Sequence, residues 1–197
     1  MMFKLGLTGS IGMGKSTTTK MFADAGCATW DADEAVHRLY ARGGAAVGPL
    51  SDVLPNVVVD GAISRQHLKL EIDADKTVVT RIENIVHPLV ARDREAFLEG
   101  VTQDICVLDI PLLFETGGDK YMDAVVCVTA PPDVQRQRVL DRGTMTEAQF
   151  NTILSKQMPD AEKRSRSDYV IETVTLEKTR KQVHAVIEDI RAKLSHA

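Results

Sequence analysis

The stretch Phe3-Lys4-Leu5-Gly6-Leu7-Thr8-Gly9-Ser10-Ile11-Gly12-Met13-Gly14-Lys15-Ser16 decides how this chain is read. Phe3 to Thr8 is a short apolar run of strand length, too short for a buried helix. From Lys15 to Ala25 the pattern turns helical, with Met21 and Phe22 on its apolar side and Gly26 placed to stop it. Between them lies Gly9-x-x-x-x-Gly14-Lys15-Ser16, and strand before with helix after is the context in which this pattern cradles phosphates. Glycines let the backbone wrap closely and aim its N–H groups inward. The helix start adds a positive partial charge. Lys15 is placed to reach β- and γ-phosphates, and the Ser16 hydroxyl to ligate Mg2+. The segment is therefore expected to bind ATP·Mg2+. A glycine-rich turn matching by accident is the bland alternative, and the flanking strand and helix count against it.

The rest of the chain suits an ordinary folded enzyme. Its 197 residues suffice for one well-buried α/β domain with a small inserted lobe. Apolar content of 44% and charged content of 26% argue against global disorder. A net charge of −4 argues against a nucleic-acid surface, which carries a basic excess. Cys27, Cys106 and Cys127 each lie in or beside an apolar run and lack zinc spacing, so reduced, buried thiols of a cytoplasmic protein are expected. The N-terminus shows no signal-peptide pattern and no stretch is long enough for a membrane span.

Short apolar runs alternate with helical patterns, which predicts βα units around a parallel sheet. Further strands are expected at Cys27–Trp30, Ile105–Asp109, Asp123–Thr129 and Tyr169–Glu172. Helices are expected at Asp133–Arg142 and Leu176–Leu194. Between the second and third strands only Asn56–Asp60 resembles a strand, and Arg65–Glu99 is helical in pattern. Pro88 is expected to start a new helix after His87. One domain, 1–197, with an inserted helical lobe at about 43–100 is the best account.

Asp109 ends its strand where a carboxylate can hold Mg2+ directly or through water; a cap after the strand is the alternative. Asp31 and Asp33, two apart after the second strand, would point to one side of an extended segment, near the ligand crevice of such a sheet. One of them could orient an attacking hydroxyl or take its proton. The alternative is a turn or helix N-cap. Arg136, Arg138 and Arg142 are, on pattern alone, a solvated helix face.

Together these segments resemble the dephospho-coenzyme A kinases. The resemblance runs through Leu7–Thr17, Asp31-Ala32-Asp33 with His37, His87-Pro88-Leu89, Asp109-Ile110-Pro111-Leu112-Leu113-Phe114-Glu115, Arg138-x-x-x-Arg142, Gln157-Met158 before Lys163, and Asp168-Tyr169-Val170-Ile171. It implies a three-layer αβα P-loop kinase fold, with the helical lobe binding the acceptor and a lid at about 136–163. The implied reaction moves the γ-phosphate of ATP to the ribose 3′-hydroxyl of dephospho-CoA. Asp33 would be the base or orienter of that hydroxyl, and Arg142 the lid arginine over ATP. Gly12, Met13, Gly14, Lys15, Ser16 and Thr17 would hold the ATP phosphates, with Lys15 assisting transfer. Ser16 and Asp109 would serve the Mg2+ ion. A monomer or weak homo-oligomer is expected.

The family usually continues its last strand with Asn and a Gly-containing turn. This chain has Ile171-Glu172-Thr173-Val174-Thr175, and Thr173 lacks an amide's paired donor and acceptor. The contact to the adenine edge and the choice of ATP over GTP therefore stay open. Without the resemblance, a small P-loop kinase of a nucleoside, nucleoside monophosphate or shikimate-like alcohol fits equally. A GTPase-type switch lacks its Asn-Lys-x-Asp motif here, and a noncatalytic module would leave the arginines without a purpose.

Overall fold

The computed structural model describes residues 2–196. In chain order the elements begin with β1 (Phe3–Thr8), α1 (Lys15–Asp24), β2 (Ala28–Asp31), α2 (Ala32–Tyr40) and α3 (Val47–Val53). Next come β3 (Val58–Val59), β4 (Ala62–Ile63), α4 (Arg65–Ala74), α5 (Val78–Glu99) and β5 (Ile105–Asp109). The chain closes with β6 (Ala124–Thr129), α6 (Pro132–Asp141), α7 (Glu147–Leu154), α8 (Asp160–Arg166), β7 (Tyr169–Glu172) and α9 (Leu176–Ser195). These form two compact units. One runs to Trp30 and resumes at Val101; the other spans Asp31–Gly100.

The first unit is built on a five-stranded sheet in the order β2-β5-β1-β6-β7. Its pairs β1–β5, β1–β6 and β6–β7 are parallel. Every residue of β5 and β6 is buried, because a sheet covered on both faces reads as continuous apolar sequence rather than alternation. Successive residues of β6 serve opposite layers. Val126 and Val128 join Phe22 of α1 and Val183, Ile187 and Ile190 of α9, whereas Val125 packs with Leu113 and Phe114. Helices α1 and α9 thus cover one face, and α8 packs against β6. This is the expected three-layer α/β architecture. Leu7 is level with Asp109 in the β1–β5 register, so the loop after β1 and the carboxylate ending β5 emerge side by side.

The unit Asp31–Gly100 has its own core of Leu39, Leu50, Val57, Ile63, Leu68, Val78 and Val86, among others. Two expectations need correction here. The Asn56–Asp60 strand is a 3-10 turn, Pro55–Val57, followed by the short antiparallel pair Val58↔Ile63 and Val59↔Ala62. Its connecting residues Asp60 (φ 51) and Gly61 (φ 78) take the left-handed geometry of a two-residue hairpin turn. Pro88 does not start a helix either. It lies inside α5, where a proline forfeits a backbone bond at a cost of about 3 kcal/mol. The helix continues because Ile82, Ile85, Val86, Leu89 and Val90, on both sides of Pro88, share that one core. Their burial outweighs the lost bond.

Candidate functional site

Past β1 the backbone turns at Ser10–Met13, closed by the Met13 N–H donating to the Ser10 carbonyl at 3.1 Å. Gly14 then caps α1 at φ 89, a left-handed conformation that glycine adopts without strain. A Cβ at Gly14 would lie 2.9 Å from the Thr173 hydroxyl, so space as well as conformation demands glycine there. The first bond of α1 is Thr18 N–H to the Gly14 carbonyl at 3.1 Å. The amides of Lys15, Ser16 and Thr17 precede it, and Gly14 has no side chain to cap them. No acidic residue stands in this first turn, so the helix start keeps its full attraction for an anion.

The Lys15 ammonium donates to Asp109 Oδ1 at 2.6 Å, and the Thr19 hydroxyl donates to Asp109 Oδ2 at 2.8 Å. The Asp109 side chain has no solvent exposure, and the ammonium beside it offsets the cost of burying its charge. The expected metal ligand and the expected phosphate lysine are therefore one ion pair. Thr19 was not anticipated, although its place four residues beyond Lys15 puts both on one face of α1.

Behind the loop, Thr173 is buried and fully occupied. Its hydroxyl donates to the Met13 carbonyl at 2.7 Å and accepts from Arg138 Nη1 at 2.9 Å. Arg138 Nη2 also donates to the Thr173 carbonyl. The Thr173 hydroxyl thus fastens the loop to α6 and to the end of β7. Met13 turns its side chain into the core, 3% exposed, with Sδ accepting from the Ala130 N–H. Of the expected phosphate ligands, Met13 thus has its side chain, its N–H and its carbonyl all bonded within the protein. A cavity of about 610 Å³ adjoins it, lined by Gln135, Leu154, Asp160 and Glu172 among others.

The structure brings Gly12, Met13, Gly14, Lys15, Ser16, Thr17 and Asp109 together. Ser16 and Thr17 are exposed at the helix start. Arg142 is the exposed C-cap of α6, with no side-chain hydrogen bond among the described residues. Asp33 belongs to the other unit, and the extended Asp31–Asp33 segment is a further correction. Asp31 ends β2 and caps α2, accepting from the N–H of Asp33 at 2.7 Å and of Glu34 at 3.0 Å. Two orphan amides of α2 outcompete a longer strand. Asp33 stands in the first turn, exposed, its carboxylate without a hydrogen-bond donor among the described residues. Within the same unit, Arg38 of α2 pairs with Asp93 of α5 at 2.6 Å.

The cysteines are free and buried, and none belongs to the site. Burial pushes the thiols of Cys27 and Cys106 up to about 11 and that of Cys127 up to about 12. Such thiols are poor nucleophiles at neutral pH. Among the described residues, no helix is long and apolar enough to cross a membrane.

The family model for dephospho-CoA kinase (CoaE) matches residues 3–177. A dephospho-CoA kinase of Ruegeria pomeroyi is 60% identical over 197 residues, covering 100% of both chains. The crystal structure of a Thermus thermophilus protein superposes with a TM-score of 0.85 at 28% identity, over 98% of each chain. A dephospho-CoA kinase from Campylobacter jejuni shares the fold, with a TM-score of 0.69 at 24% identity over 96% of this chain and 98% of that one. With its phosphate loop, its Lys15–Asp109 pair and a family match along most of its length, the chain belongs to the dephospho-CoA kinase family.

Proposed function

We propose that this chain transfers the γ-phosphoryl group of ATP to the ribose 3′-hydroxyl of dephospho-CoA, giving coenzyme A and ADP in the last step of coenzyme A synthesis. The observation that carries the phosphoryl-transfer reading is the Lys15–Asp109 pair, 2.6 Å apart beside three helix-start amides. The acceptor follows from the family. Phosphoryl transfer through a loose transition state needs positioning and charge compensation more than covalent help from the protein. The amides of the loop hold the phosphates. An ammonium has three donors and the bond to Asp109 uses one, so Lys15 can meet phosphate oxygens without leaving Asp109.

The oxygen donors here suit Mg2+, which keeps most of its water and takes few protein ligands. The exposed Ser16 hydroxyl would bind it directly. Asp109 would act through water, because both its oxygens already accept bonds in a buried setting. When bound, the ion offsets charge on the β- and γ-phosphates. Asp33 orients the attacking 3′-hydroxyl and receives its proton as the bond to phosphorus forms and ADP leaves. Arg142 covers ATP, its guanidinium offsetting phosphoryl charge or stacking on adenine. In this reading, residues at about 43–100 bind the acceptor and those at about 136–163 form the lid. The protein works in the cytoplasm as a monomer or weak homo-oligomer, a setting that suits its three free thiols.

A coupled ADP-release assay on dephospho-CoA, adenosine, nucleoside monophosphates and shikimate tests the reading. Turnover is expected with dephospho-CoA; turnover on another acceptor and none on dephospho-CoA would overturn it. Asp33→Ala in the same assay is expected to lose turnover by about 10²–10⁴-fold with ATP affinity kept. Collapse of ATP binding with turnover surviving at saturation would remove Asp33 from its role.

A further inference from the structure

The N–H and carbonyl of Ile11, inside the Ser10–Met13 turn of the phosphate loop, take no part in its closing bond between Met13 and Ser10. They need partners from elsewhere, because unpaired backbone groups out of water are costly. Two glutamines supply them. Gln157 Oε1 accepts from the Ile11 N–H at 3.0 Å, and Gln135 Nε2 donates to the Ile11 carbonyl at 2.7 Å. Gln135 lies in α6, buried at 4% exposure, and Gln157 lies between α7 and α8. The chain from α6 to α8, which carries Arg142, is thus rooted at both ends on one residue of the loop.

Gln157 is itself held. The N–H of its neighbour Met158 donates to Glu115 Oε1 at 2.8 Å, and Pro159 restricts Met158 to extended backbone. Glu115 pairs with Lys163 Nζ at 2.9 Å. Lys163 has no exposed surface and also donates to the Pro111 carbonyl at 3.0 Å, which accepts from the Thr8 hydroxyl at 3.1 Å as well. A buried ammonium is costly, and structural specificity is its best-attested use. Here it fastens the segment 157–158 to the carboxyl ends of β1 and β5, where the loop begins.

We propose that Gln157 is a positioning residue for the phosphate loop, set in place by the Glu115–Lys163 pair, and that it couples the α6–α8 segment to the grip on nucleotide phosphates. The inference rests on the nucleotide-binding part of the proposed function and is independent of the acceptor. Gln157→Leu removes the acceptor for the Ile11 N–H at nearly constant volume. It is expected to weaken ATP about tenfold, in direct titration and in KM for ATP, with KM for the acceptor within about twofold of the parent. Glu115→Gln is expected to weaken ATP by itself and to add less than about twofold in the Gln157→Leu background, because both act through one contact. Gln157→Asn, too short to reach Ile11, repeats the measurement with a milder change. Unchanged ATP affinity in the Gln157 variants, an additive double variant, or parallel rises in both KM values would overturn the proposal. Direct ATP titration needs no acceptor, so failure of dephospho-CoA as substrate would show in turnover and leave this test intact.

Discussion

Lys15 and Asp109 bind each other before they bind a ligand. Asp109 is fully buried and Lys15 supplies its positive neighbour, so the pair has a structural duty besides its chemical one. Lys15→Met should therefore fail twice. Turnover should fall by about 10²–10³-fold through lost charge compensation. Stability to denaturant should fall by about 1–3 kcal/mol, because the buried carboxylate loses its charged partner while keeping the Thr19 hydroxyl. Lys15→Met combined with Asp109→Asn should regain most of the stability and none of the turnover. If the single variant unfolds at the parent's denaturant midpoint, the structural duty is disproved. The two residues were individually legible in the sequence, one from a motif and one from its place at a strand end. Their pairing was not, since 94 positions separate them and only the β1–β5 register makes them neighbours. Thr173 shows the converse. Its identity was noticed as a departure, but its bonds to Met13 and Arg138 depend on β7 ending beside the loop.

At the scale of elements, what could be read were the units whose signals are local. β1, its loop and α1 follow from the consecutive residues Phe3–Asp24, and the buried runs of β5 and β6 announce themselves by composition. α5 runs through Pro88 because a local helix-breaking signal is overruled by a core drawn from both sides of it. The link from β5 to α8 left no local trace at all, as Glu115 and Lys163 are 48 residues apart. That link carries a pH signature. Burial pushes the Glu115 carboxyl up, but the Lys163 ammonium and the Met158 N–H more than offset this and hold it below its ordinary 4.5. A carboxyl with a depressed folded value contributes stability above the ordinary value and loses it as pH falls through the folded one. The thermal midpoint of the parent should therefore decline below about pH 4.5 more steeply than that of Glu115→Gln. Parallel acid limbs for the two proteins would show that the pair contributes nothing.

Each of the two units buries its own apolar residues, one on the faces of the sheet and one within Asp31–Gly100. Composition and length had suggested one domain with a lobe, and contiguity in sequence let the inserted region be noticed; its internal hairpin and its long helix emerge only from packing. The placement of the buried thiols gives this architecture a practical use. Cys27, Cys106 and Cys127 all lie in the sheet-bearing unit, and none lies in Asp31–Gly100. Reaction with a disulfide reagent under native conditions is consequently a clock for opening of the sheet unit alone, with no label to introduce. Leu50→Ala, a cavity in the other core costing about 2–5 kcal/mol, should leave that clock unchanged. An accelerated clock in Leu50→Ala would mean that the two units open as one cooperative body. The native cysteines thus make the chain its own reporter of where unfolding begins.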